Sequence, residues 1–112
     1  MERRLAAILA ADVVGYTALV GADEAGTLGR LTKLRTEFLE PLVASHKGRV
    51  VKLMGDGMLV EFASVVDAVR FAVDVQSAMA KSNQNVPGNQ RIDYRIGINL
   101  GDIVHKLSLI HI

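Results

Sequence analysis

Two aspartates stand where short glycine-containing turns interrupt apolar runs. Asp12 closes "LAAILAAD" and is followed by "VVGYT" (13–17), and Asp56 lies inside "VVKLMGDGMLVEF" (50–62). Asp-Gly between apolar runs is a strong hairpin signal, with Gly57 expected to take the positive φ, so Asp56 has an ordinary use as a turn former. It has a chemical use only if the fold carries Asp12 to it. Carboxylates with few histidines and no cysteines nearby favour hard cations such as Mg²⁺ or Mn²⁺. Gly15 lets a backbone approach closely, and successive N–H groups together with the Thr17 hydroxyl could cradle phosphates. Ions held between phosphates and carboxylates are the apparatus of in-line phosphoryl displacement. Each piece alone is ordinary, and the argument rests on their joint placement.

The elements that must position them follow from periodicity. Residues 5–14 read as a buried strand, apolar on both faces. Asp23 is a helix N-cap, and the helix after it carries an apolar stripe of Leu28, Leu31, Leu34, Phe38 and Leu42. Gly26, Gly29 and Pro41 weaken that helix and Pro41 should kink it, while Gly48 suits the position just past its end. A hairpin follows, with strands near 49–54 and 58–62. Ser64 and Asp67 form an acidic capping box for a helix reaching about Lys81, whose expected buried stripe is Val65, Val69, Ala72, Val73, Gln76 and Met79. "SNQNVPGNQ" is a polar loop, and "RIDYRIGINLGDIV" alternates as a last strand with Ile92, Tyr94, Ile96 and Ile98 on one face.

The order is β-α-β-β-α-β, an α+β plan of the ferredoxin-like kind. Right-handed crossovers give an antiparallel sheet of order 4-1-3-2 with two helices on one face. In that topology the carboxyl end of the first strand shares a sheet edge with the turn joining strands two and three. Asp12 and Asp56 are therefore expected to face each other.

Composition bounds the rest. The chain has 112 residues, half of them hydrophobic, and a net charge of +1. That suits one globular domain with no charge footprint for nucleic acid or a membrane surface. There is no cysteine, which removes disulfides and thiolate metal sites. The opening "MERRLAAILAADVV" has an apolar run, Leu5–Ala11, only just long enough for an export signal, and Asp12 ends it, so export is not expected. No stretch approaches the roughly 18 apolar residues that span a bilayer, and a cytoplasmic location is expected. His46, His105 and His111 form no metal spacing and read as surface or tail residues. An RNA-reading ferredoxin-like domain is disfavoured, because "MLVEF" lacks interleaved aromatics and aromatic content is 4%.

"ADVVGYTAL" followed by "VVKLMGDGMLVEF" resembles the catalytic domain of class III adenylate and guanylate cyclases. "RRLAAILAADVVGY", "EFASVVDAVRFAV" and "RIGINLGDI" are similar to soluble proteobacterial members, and the likeness runs from residue 3 to about 104. The resemblance implies that Asp12 and Asp56 bind two Mg²⁺ or Mn²⁺ ions per site, with the Val13 carbonyl as a further ligand. It implies that Val14, Gly15, Tyr16 and Thr17 form the triphosphate loop, with Tyr16 where the family often has phenylalanine. Lys52 matches the base-reading position, where lysine goes with ATP and glutamate with GTP. An ammonium can donate to adenine N1, whereas guanine N1 carries a hydrogen and needs an acceptor. As an edge-strand charge, Lys52 also has the plain use of protecting the sheet edge.

The implied activity is conversion of ATP to cyclic AMP and pyrophosphate at the interface of a head-to-tail homodimer. The alternative is a nucleotide-binding or dimerising regulatory module without turnover. A diguanylate cyclase is less suited, since "MGDGM" stands where that family has G-G-[DE]-E-F. Family domains continue past the last strand with a partner for the base and with an Asn and an Arg for ribose and transition state. Residues 1–106 are thus expected to be the N-terminal portion of such a domain, inactive alone. "LSLIHI" resembles translated sequencing-adapter DNA, so 107–112 are expected to be a non-native tail and are set aside.

Overall fold

An eleven-residue apolar strand, β1 (Arg3–Val13), is the middle of the sheet. The computed structural model describes the backbone of residues 3–104 and 109–111 and the side chains of residues 5–101. β1 pairs on one side with β3 (Gly57–Phe62) and on the other with β4 (Tyr94–Val104). β2 (Gly48–Met54) lies outside β3, and the short β5 (Leu109–His111) lies outside β4. The order is β2-β3-β1-β4-β5 and every pairing is antiparallel. The expected 4-1-3-2 arrangement is present, extended by a fifth strand whose backbone comes from the segment the sequence reading set aside.

Alternation along β1 divides the two faces. Ala7, Leu9, Ala11 and Val13 meet Met58, Val60, Phe62, Phe71 and Val75 in the main core under the helices. Ala6 and Ile8 point to the opposite face, where Leu59 packs against them. Asp12 shares that second face by position, one residue short of the strand's end.

The first helical segment was not anticipated. α1 (Tyr16–Ala22) is short and buries only Leu19, so no repeating apolar pattern announces it. The Thr27 hydroxyl, fully buried, donates to the Leu19 carbonyl at 2.9 Å and ties α1 to the helix that follows. That helix, α2 (Glu24–Leu34), is capped as expected: Asp23 Oδ1 accepts from the Gly26 N–H at 3.1 Å. It continues through a π-helical turn, Arg35–Leu39, into α3 (Glu40–Ser45). Pro41 has no N–H and its ring crowds the carbonyl one turn back, and the widened turn, in which the Glu40 N–H reaches the Arg35 carbonyl, accommodates it. The extra residue rotates the apolar stripe. Leu28 is exposed, Leu31, Leu34, Phe38 and Leu42 are half-buried, and the fully buried positions are Thr27, Leu39 and Val43.

Two glycine assignments change. The left-handed residue past α3 is Lys47 (φ 61), not Gly48, which already belongs to β2. Gly48 is needed for another reason: a Cβ there would lie 2.5 Å from the Phe62 ring. In the hairpin, positive φ falls on Gly55 (φ 56) rather than Gly57.

α4 (Val65–Asn83) starts where the capping box put it, with the Ser64 hydroxyl accepting from the Asp67 N–H at 3.1 Å. Its buried face is Ala68, Phe71, Val75 and Met79. Of the expected stripe only Met79 is buried and Ala72 half-buried, while Val65, Val69, Val73 and Gln76 are exposed. Valines occur on both faces of this helix, and Phe71 decides the orientation by packing on Phe62 with ring centroids 5.5 Å apart. His46, expected at the surface, is largely buried: it contacts Asp74 Oδ2 at 2.8 Å and meets the Phe71 ring edge-on. His105 lies outside the described residues, as does the side chain of His111. Among the described residues no helix is long and apolar enough to cross a membrane.

Candidate active site

The β2–β3 turn is pressed onto the carboxyl end of β1. Met54 pairs with Gly57, leaving Gly55 and Asp56 as the two central residues. A Cβ on Gly57 would stand 2.6 Å from the Ala11 carbonyl oxygen, so the two chain segments approach as closely as they do only because the residue is glycine. That contact delivers Asp56 to β1: its Oδ2 accepts the Val13 N–H at 3.0 Å. The turn reading of Asp56 therefore omits a long-range role, because this carboxylate binds the strand that carries Asp12.

Asp12 extends from β1 on the face opposite the helices. Its cross-strand neighbour in β4 is Arg95, and the guanidinium grips the carboxylate with both ends, Nε to Oδ1 and Nη2 to Oδ2, each at 3.1 Å. Asp12 and Asp56 line one cleft of about 310 Å³ together with Met54, Gly57, Arg95 and Gly97. The expected convergence of the two aspartates is seen. Hydrogen bonding to Asp12 and then its charge raise the Arg95 pKa, desolvation opposes them, and Asp56 makes the least contribution, also upward. The Tyr94 phenol, buried next in sequence, is pushed up to about 12 by burial and then by the Asp56 charge.

The following loop is distributed over neighbouring hollows. The Val14 N–H donates to the Asp93 carbonyl at 2.9 Å, and Val14 and Gly15 line a groove of about 360 Å³ with Gly88, Asn89, Arg91 and Asp93. Gly15 has φ 65 and stands at the start of α1, so the amides of Tyr16 and Thr17 belong to a first turn that has no intrahelical acceptors. Tyr16 reaches under the hairpin, where it shares a smaller cavity of about 170 Å³ with Asp56, Arg35 and Tyr94. Thr17 is exposed.

Lys52 is not brought to this cleft. It sits on the outer strand, exposed, opposite Leu59 and just after an irregularity at Val51 that breaks the β2–β3 register. Its pairing with Leu59 places it on the same sheet face as Asp12, two strands away.

Among the described residues no three His, Cys, Asp or Glu side chains cluster as a metal site. The cleft offers two carboxylates without imidazole or thiolate, a donor set suited to a hard divalent ion completed by backbone, water or phosphate oxygens. The residue that sequence reasoning missed is Arg95. Its signal is visible afterwards: it occupies the polar phase of an alternating strand, between Tyr94 and Ile96. Only the register of β4 against β1 shows which residue it opposes.

Comparison with known proteins settles the family. The adenylate and guanylate cyclase catalytic domain matches residues 2–109. The chain belongs to this family. It is 53% identical over 104 residues to "Putative adenylate cyclase 3" of Rhizobium meliloti (strain 1021), a match covering 93% of this chain and 18% of that protein. An adenylate cyclase of Streptomyces coelicolor is 31% identical over 108 residues, 96% of this chain and 26% of that one. Among solved structures, an adenylate/guanylate cyclase/hydrolase from Silicibacter pomeroyi superposes with a TM-score of 0.85 at 44% identity, covering 98% of this chain and 63% of that one. This cyclase-family chain thus spans less than two thirds of each of these relatives.

Proposed function

We propose that the chain supplies the metal- and triphosphate-binding part of an adenylate cyclase, which converts ATP to cyclic AMP and pyrophosphate. The observation that carries this reading is the delivery of Asp56 and Asp12 into one cleft by the Gly57 contact with β1. The relatives named as adenylate cyclases support the choice of reaction.

In this reading Asp12 and Asp56, with the Val13 carbonyl, hold two divalent ions, Mg²⁺ or Mn²⁺. Those ions, when bound, supply the positive charge that activates the ribose 3′-hydroxyl and neutralises the leaving pyrophosphate. The chain's own contribution is placement. The Val13 amide orients the Asp56 carboxylate, and Val14, Gly15, Tyr16 and Thr17 offer backbone and hydroxyl donors to the polyphosphate. Lys52 reads the base by donating to adenine N1. Its position on the outer edge, away from its own chain's aspartates, supports a site shared between two copies, with Lys52 of one serving the carboxylates of the other. Turnover is then a property of the longer protein and of the dimer.

The test is Mn²⁺-dependent ATP binding by calorimetry on a cyclase domain of full family length, beside a thermal melt. Asp56→Asn keeps the shape and the acceptor for the Val13 amide while removing the charge a hard cation requires. It is expected to melt with the parent and to lose metal–nucleotide binding. Asp12→Asn is expected to do the same, and the double variant to lose little more, since the two act as a unit. An Asp56→Asn protein that binds Mn²⁺–ATP like the parent would return Asp56 to the role of a turn.

A further inference from the structure

The carboxylate that would take a divalent ion already has a cation on it. Arg95 is directly opposite Asp12 in the β1–β4 ladder, so both side chains leave the sheet on the same face. The guanidinium spans both carboxylate oxygens, at 3.1 Å each, in the planar two-point geometry that arginine offers and lysine does not. Glycine follows two residues on at Gly97, and its partner in β1 on this face is Ala10, so the β1–β4 side of the cleft leaves space around the pair. Asp56 does not share the arrangement: its Oδ2 is held by a neutral backbone amide. The two carboxylates of one cleft are therefore kept in place by different means, one by a dipole that can stay and one by a full charge.

Resting on the metal-pair reading of the proposed function, we infer that Arg95 is the resident counter-cation of Asp12. It holds this carboxylate ordered while the cleft has no divalent ion and competes with the ion for the same two oxygens. A Mg²⁺ or Mn²⁺ ion that approaches Asp12 from the side on which Nε and Nη2 lie displaces at least one of those two hydrogen bonds. A positive charge beside the site also opposes a second one. Arg95 in this role is a positioning residue with a threshold attached: the bare ion binds weakly because one of the two carboxylates already has a counter-charge. The side chains are 72% and 45% exposed, which limits the size of the effect to that of a solvated pair.

The test uses Mn²⁺ alone, with no nucleotide, followed by electron paramagnetic resonance of the free ion at low ionic strength, on the 112-residue chain. Arg95→Gln is expected to bind Mn²⁺ about fivefold more tightly than the parent, the effect of relieving one exposed ion pair. Most of that difference should vanish in 0.5 M KCl, where the Debye length is only about 4 Å. Arg95→Lys keeps the charge but not the fork, and should fall between the two; it also serves if the glutamine variant folds poorly. A Gln variant that binds Mn²⁺ no better than the parent, while Asp12→Asn and Asp56→Asn lose binding, would overturn the counter-cation role and leave the metal pair standing. Asp12→Asn and Asp56→Asn proteins that bind Mn²⁺ like the parent would sink the metal-pair reading itself.

Discussion

The turn of the β2–β3 hairpin and its outer strand are adjacent in sequence and built on different principles. At the turn, Gly57 lies against the Ala11 carbonyl and Asp56 is hydrogen-bonded to the Val13 amide, so the backbone itself sets where the carboxylate goes. On the outer strand, Lys52 is a long exposed side chain next to a register break, with no hydrogen bond or ion pair among the described residues placing its ammonium. The difference teaches what one chain can preorganise. In the proposed reading, Asp56 is a short side chain clamped by a main-chain contact, while the group assigned to the base is left for a second molecule to meet.

Lys52→Glu should produce the largest effect, and only on function. It removes one charge-assisted hydrogen bond, worth about 1.5–3 kcal/mol, and adds repulsion. ATP turnover by the longer protein should fall at least about tenfold, with binding of the triphosphate and thermal stability little changed. Unchanged cyclic AMP production would remove Lys52 from the site.

Gly57→Ala should do the reverse, acting on the fold first. A methyl group 2.6 Å from a backbone oxygen cannot be absorbed by a side-chain rotation. Forcing it in should cost about 1–3 kcal/mol in urea unfolding and weaken Mn²⁺ binding as the turn lifts from β1. Full stability in this variant would mean that the hairpin is not clamped.

Gly55→Ala is a milder probe of the same turn. Nothing lies within 4 Å of the added Cβ, so the cost is conformational only, about 1 kcal/mol for a non-glycine residue at φ 56. A loss as large as that of Gly57→Ala would show that turn conformation, not close approach, governs the site.

The last effect is absent at neutral pH and confined to high pH. Tyr94 has a phenol raised in the folded state from 10.0 to about 12 by burial and the nearby Asp56. The unfolded chain releases this proton first, so the contribution is complete below pH 10 and is lost as pH rises from 10 towards 12. Tyr94→Phe should flatten the fall in stability over that window relative to the parent. Identical curves would mean that the phenol is neither buried nor near the Asp56 charge as the structure has it.

Much of this was readable without coordinates, because it depends on periodicity and local hydrogen bonding. Asp23 and Ser64 cap helices through amides three residues away, and a buried central strand announces itself as an unbroken apolar run. The strand order follows from chain handedness, and with it the meeting of Asp12 and Asp56 at one edge. What local signals could not decide were questions with two equivalent local answers. Valines on both sides of α4 offered two buried faces, and the choice came from Phe71 meeting Phe62, residues on separate elements. Gly55 and Gly57 flank the same aspartate, and only the proximity of Ala11 shows that one supplies a torsion and the other an absence of side chain. The sequence by itself determined which residues could carry charge to the sheet edge, since residue type and strand period suffice for that. Only the tertiary structure decided that Arg95 already occupies Asp12, because strand register is a property of two segments pressed together and is written in neither of them.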